Sequence, residues 1–188
     1  GVQTCALPIY ICAGETTGAA GLLVRMSNCS VTSESSINID IIQSANAGHN
    51  GCIMGGSNDI GSFIITDCYV KCVNDIHINT DSNYGGDSVI MGGDNQGVDI
   101  GTISISRCWI RVGGDAYMQD EGDGANSIFL GGYNKAENCD VVIENCTCQI
   151  DGSLNLLNPN EGSGSDGFIL GGWNQALSSI HISNCIIC

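Results

Sequence analysis

Thr102-Ile103-Ser104-Ile105-Ser106-Arg107-Cys108-Trp109-Ile110 contains two short alternating runs joined by one slip of phase. Ile103 and Ile105 share one parity. Cys108, Ile110 and Val112 share the next, after two intervening residues. Alternation with period two describes a strand with one buried face, and the slip is what a tight corner between two strands produces. Asn, Asp and Gly suit such a corner because they tolerate left-handed backbone angles.

The block recurs along the chain. Ser27-Asn28-Cys29, Thr66-Asp67-Cys68, Ser106-Arg107-Cys108, Glu144-Asn145-Cys146 and Ser183-Asn184-Cys185 follow one another at steps of 39, 40, 38 and 39 residues. Asn or Asp fills the corner slot in four copies, and Arg107 departs. Eight residues past the Cys a weaker alternating pair appears: Ile37/Ile39, Ile76/Ile78, Ala116/Met118 and Leu154/Leu156.

A second block keeps step with the first. Ile53-Met54-Gly55-Gly56 returns as Ile90-Met91-Gly92-Gly93, Phe129-Leu130-Gly131-Gly132 and Ile169-Leu170-Gly171-Gly172. Three residues after the first Gly stands Asn58, Asn95, Asn134 or Asn174, and five before it Asn50, Asp87, Asn126 or Asp166. Each repeat thus holds about four short strands between Gly/Asn/Asp/Ser loops, and no helical period is present. A unit of short strands cannot bury its apolar face alone, so it must stack on its neighbours. The expected fold is all-β: a parallel β-solenoid of four to five copies of a repeat about 39 residues long.

These coils resemble the pectin-lyase-like superfamily, whose right-handed parallel β-helices read roughly I-x-I-x-N-C-x-I with Asn at the tight turn. The resemblance runs from about residue 20 to 188 and rests on segments such as Ile180-His181-Ile182-Ser183-Asn184-Cys185-Ile186. It implies a right-handed parallel β-helix. It also implies a choice of roles, because the superfamily includes lyases, glycoside hydrolases, tailspikes and adhesins. The Gly-Gly-x-Asn element is similar to repeat motifs of bacterial surface proteins. Of the motifs that mark polygalacturonases, Asn79-Thr80-Asp81 matches one and Gly113-Gly114-Asp115 half-matches another. Gly-His-Gly and Arg-x-Lys are absent.

Composition narrows the partners. Twenty acidic residues stand against five basic ones, a net charge of −15, too few cations to neutralise a nucleic-acid backbone. No apolar run is long enough to span a membrane. Residues 1–9, Gly1 to Ile9, read like a translated sequencing-library adapter and are set aside as a processing artefact. Residues 10–188 are then expected to be one β-helix fragment, truncated at both ends, with open ends that invite end-to-end self-association.

Residues shared by every copy serve the scaffold, so function is sought where copies differ and face outward. If each Cys and the second residue after it point inward, Tyr69, Lys71, Trp109 and Arg111 point outward as two aromatics and two cations. Aromatic faces stack on sugar rings, which makes these the carbohydrate-binding candidates. Asp75 and Asp115, seven residues past their Cys, are the catalytic candidates, since paired carboxylates can act as acid and base. Asp115, Asp120, Glu121 and Asp123 are the Ca²⁺ candidates, although no other cofactor is required. Tyr133 and Trp173 form a second outward pair; His49, His77 and His181 have no evident partners. The twelve cysteines have no zinc spacing, and the ladder Cys29, Cys68, Cys108, Cys146 and Cys185 reads as small buried hydrophobes at inward strand positions.

The expected function is an extracellular or cell-surface repeat region of adhesin or tailspike type, with polysaccharide or cell-surface glycan as the partner. The alternative is a carbohydrate-active enzyme, a polysaccharide lyase or glycoside hydrolase.

Overall fold

The computed structural model describes residues 9–12, 15–17, 23–42, 51–55, 57–59, 62–81, 88–95, 101–121, 126–157 and 166–188. Residues 1–8 of the set-aside leader, with Asn50, Asp87, Asp123 and His49, lie outside this set.

All the described elements are strands, and the chain passes through them five times. The first pass contains β1 (Ile9–Cys12), β2 (Glu15–Thr17), β3 (Leu23–Ser27), β4 (Ser30–Ser33) and β5 (Ile37–Ile42). The second contains β6 (Gly51–Met54), β7 (Ser57–Asp59), β8 (Ser62–Thr66), β9 (Tyr69–Cys72) and β10 (Ile76–Asp81). The third contains β11 (Ser88–Met91), β12 (Asp94–Asn95), β13 (Thr102–Ser106), β14 (Trp109–Val112) and β15 (Ala116–Glu121). In the fourth, β16 (Asn126–Leu130) leads into the long β17 (Tyr133–Glu144), then β18 (Thr147–Ile150) and β19 (Leu154–Leu157). The fifth holds β20 (Asp166–Leu170), β21 (Trp173–Ser183) and β22 (Ile186–Ile187).

Equivalent strands of successive passes pair in parallel and form four sheets, an arrangement consistent with a β-solenoid. One sheet has eight strands because β17 bridges two ladders that β12 and β13 keep apart one pass earlier. Among the described residues the first three passes carry five strands each, one more than the alternation alone suggests.

Register explains the repeated residues. Ile103 pairs with Phe63 on one side and Val141 on the other, and all three are fully buried. Phe63, Ile65, Cys68, Val70, Cys72, Ile76 and Ile78 line one pass inward, each at most 1 % exposed. Burying a side chain of this size stabilises by about 1.5–3 kcal/mol. In the last pass Ile180 and Ile182 hold the same inward register but are 51 % and 41 % exposed.

The corner is left-handed in every copy: φ is 55° at Asn28, 55° at Asp67, 52° at Arg107, 55° at Asn145 and 51° at Asn184. Arg107 has no local side-chain reason to adopt it, but its guanidinium grips the preceding corner. Nε donates to Asp67 Oδ1 at 2.7 Å, and Nη2 donates to Asp67 Oδ2 at 2.8 Å and Thr66 Oγ1 at 2.7 Å.

The Gly-Gly element is fixed by close approach as well as by φ. Gly55, Gly92 and Gly131 have φ near 137°, and a Cβ on Gly92 would collide with the backbone nitrogen of Gly132. Beneath this turn lies a fully buried amide ladder. Asn95 Nδ2 donates to Gly92 O at 3.0 Å and to Asn134 Oδ1 at 2.8 Å, while Asn134 Nδ2 donates to Gly131 O at 3.0 Å.

Candidate functional site

Strands β4, β9, β14, β18 and β22 form one sheet whose outward positions differ from pass to pass. In β9 and β14 the even members, Val70, Cys72, Ile110 and Val112, are buried, which turns Tyr69, Lys71, Trp109 and Arg111 outward. Along the sheet one outward row reads Ser30, Tyr69, Trp109, Thr147, Ile186. The next reads Thr32, Lys71, Arg111, Gln149.

Tyr69 and Trp109 stack face to face, ring centroids 4.4 Å apart and planes 2° from parallel. Neighbouring parallel strands are about 4.8 Å apart, so register alone brings the rings together. The stack covers one indole face with the phenol. The opposite face looks along the sheet toward Thr147, where an open groove of about 360 Å³ is lined by Trp109, Ile110, Arg111, Thr147 and Gln149. A second groove of about 280 Å³ lies beside it, among Lys71, Val73, Arg111, Gly113 and Asp151, so Arg111 divides the two.

The charges here are balanced locally. Arg111 Nη2 lies 3.5 Å from Asp151 Oδ2, and Gln149 Nε2 donates to Asp151 Oδ1 at 2.8 Å. Both charged groups are about half exposed, where such a pair contributes little stability but still orients the two side chains. Lys71 makes no ion pair among the described residues.

Asp75 and Asp115 fall in equivalent positions at the next corner. Each aspartate accepts a backbone N–H from the following pass. Asp115 N donates to Asp75 Oδ1 at 2.8 Å, and Ser153 N donates to Asp115 Oδ1 at 2.7 Å. The same position one pass earlier is Ser36, whose Oγ accepts from Asp75 N at 3.4 Å. The two carboxylates are thus rungs of a corner ladder.

Of the Ca²⁺ candidates, Asp115 has the bond just described, Asp120 and Glu121 end β15, and Asp123 is outside the described residues. Among the described residues no three His, Cys, Asp or Glu side chains gather where they could hold a metal ion. Among the described residues no helix is long and apolar enough to cross a membrane.

The cysteine side chains described are all free thiols. Burial pushes the Cys139 thiol up to about 11 and the Cys148 thiol to about 12. A hydrogen bond with the Cys146 sulfur, together with burial, drives Cys108 far above the ordinary thiol range.

One contact escaped the sequence reading. His77, expected to have no partner, packs against Tyr117 of the next pass, ring centroids 4.5 Å apart and tilted by 53°. Both residues stand nine positions after their Cys, Cys68 and Cys108, a shared offset that would have paired them. The Tyr117 hydroxyl also hydrogen-bonds Gln119. Tyr133 and Trp173 are in register on the backbone, but their side chains are outside the described set.

Comparison of the chain with protein-family profiles, curated proteins and solved structures gives no match.

Proposed function

We propose that this chain is part of an extracellular, right-handed parallel β-helix of the pectin-lyase-like kind, with about 39 residues per coil, serving as a surface, adhesin or tailspike-type repeat region that binds carbohydrate. Left-handed corners at a fixed offset from an inward Cys support the fold assignment. The observation that carries the function is the Tyr69–Trp109 stack, 4.4 Å between rings, beside Lys71 and Arg111 on an outward face where neighbouring copies carry Ser30, Thr32, Thr147 and Gln149. Ladders common to all copies are consumed by backbone and core, whereas this patch serves no repeated structural need.

No observation favours the lyase or hydrolase reading. Acid–base work needs carboxylates aimed at a substrate, and Asp75 and Asp115 each spend one oxygen on a backbone N–H of the following pass.

The test is retention of the protein on a panel of immobilised cell-surface, plant and bacterial polysaccharides, comparing wild type with Trp109→Ala. Wild type is expected to be retained on at least one, and Trp109→Ala to lose about tenfold in affinity, roughly 1.4 kcal/mol. Equal retention of both proteins, or of neither, removes the patch as a sugar platform.

A further inference from the structure

The row Ser30, Tyr69, Trp109, Thr147, Ile186 changes size abruptly on either side of Thr147. Trp109 on one side is 36 % exposed and Ile186 on the other 57 % exposed, with a small side chain between them. The result is a notch one strand wide beside the indole face, with Ile186 at the following position of the row. Trp109 and Ile186 are two strand spacings apart, about 9.6 Å at the backbone, which leaves room for one ring laid flat on the indole. The groove of about 360 Å³, lined by Trp109, Ile110, Arg111, Thr147 and Gln149, lies on the Trp109 side of this notch and falls at the small end of the range for small-molecule sites.

The chemistry of the notch selects the ring. Its floor, Thr147 and Gln149, is uncharged, and the Arg111 guanidinium beside it is already faced by Asp151 at 3.5 Å. A carboxylated or sulfated ring would have to compete with Asp151 for Arg111, within a chain of net charge −15. A neutral ring has no such conflict: its hydroxyls can accept from Arg111 and exchange hydrogen bonds with Gln149 and Thr147.

We propose that the notch over Thr147 is a subsite for a single uncharged hexopyranose ring, stacked on the free face of Trp109 as the third member of the Tyr69–Trp109 stack. This rests on the carbohydrate-binding reading above and adds to it the position and charge class of the sugar.

The experiment is calorimetric titration of the full chain with cellohexaose, mannohexaose and hexagalacturonate, using wild type, Thr147→Phe and Thr147→Ser. Thr147→Phe fills the notch while extending the aromatic ladder, so it leaves Tyr69 and Trp109 in place; a thermal melt confirms that it folds. The expected result is binding of at least one neutral hexasaccharide that is insensitive to salt. Thr147→Phe should then weaken it by about tenfold or more, and Thr147→Ser should leave it within about twofold.

Neutral binding that survives Thr147→Phe overturns the notch while the wider sugar-binding reading stands. Binding of hexagalacturonate alone overturns the charge class, again without harm to that reading. No binding of any sugar overturns both.

Discussion

Oδ1 of Asp75 occupies the space that a side chain on Gly114 would need. The carboxylate reaches into the next pass to accept the N–H of Asp115, and a Cβ on the residue directly before that N–H would collide with the bonded oxygen. The relationship repeats one pass later between Asp115 and Gly152. Where the reaching side chain is the shorter Ser36, the residue before the next rung is Asn74. Gly114→Asn is therefore expected to cost about 2 kcal/mol in wild type. In an Asp75→Ser background the same change should cost at least ~1 kcal/mol less, a coupling that urea denaturation of the double-mutant cycle measures. Additive costs would show that the carboxylate does not impose the glycine.

Arg107 and Asp67 make the acid side of stability testable. The bidentate hydrogen bond from the Arg107 guanidinium holds Asp67 below its ordinary value of 3.8. A depressed carboxylate stabilises the fold above its unfolded value, and that contribution is lost as pH falls from 3.8 through the lower folded value. Wild type should lose melting temperature across this interval. Arg107→Gln, which keeps a non-glycine residue at the left-handed corner, should show a shallower loss. High salt should move wild type toward the variant, because both groups are solvent-exposed. Parallel acid profiles for the two proteins would contradict the pairing.

Most of the scaffold was legible because it depends on period and offset. Inward alternation located Phe63, Ile103 and Val141 in one buried ladder, and the phase slip located the left-handed corners, Arg107 included. What alternation could not show is where a strand continues unbroken. β17 joins two ladders that β12 and β13 extend separately in the preceding pass. The outward patch was legible as Tyr69 beside Trp109 because both stand one residue after a Cys. The groove beside it was not, since it arises from the smallness of Thr147 next to Trp109 and has no motif of its own. For Asp75 and Asp115, the bonds from Asp115 N and Ser153 N emerge only in three dimensions.

The buried amide ladder should be intolerant of charge. Asn134 donates to Gly131 O at 3.0 Å and accepts from Asn95 at 2.8 Å, with no exposure to solvent. Asn134→Asp replaces the donor by a second acceptor facing a carbonyl and places a charge in the interior. The expected loss is about 3 kcal/mol at neutral pH. The buried carboxyl would have its folded value raised above the unfolded one of roughly 3.9, so the deficit should shrink as pH falls and the neutral acid restores a donor. A deficit independent of pH would mean that the lost geometry, rather than the charge, is responsible.

The thiols report on the same interior through their reactivity. Only the thiolate reacts, and burial holds Cys139 at about 11 and Cys148 at about 12, so neither is ionised appreciably at neutral pH. Cys188 is exposed, and Cys29 and Cys185 are half-buried. Among the cysteines whose side chains are described, iodoacetamide applied to the native chain should modify Cys188 first, then Cys29 and Cys185. Cys139 and Cys148 should react only once denaturant opens the sheets, as peptide mass spectrometry would show. The raised values also carry a stability sign. Thiols that ionise at 9.0 when unfolded and near 11 or 12 when folded contribute stability that is complete below 9.0 and lost as pH climbs toward the folded values. The melting temperature should therefore fall on the alkaline side of 9.0, and Cys148→Val, which keeps the packing and removes the ionisation, should flatten that fall. Early modification of Cys148 in the native protein would place it at an accessible surface and refute the buried ladder.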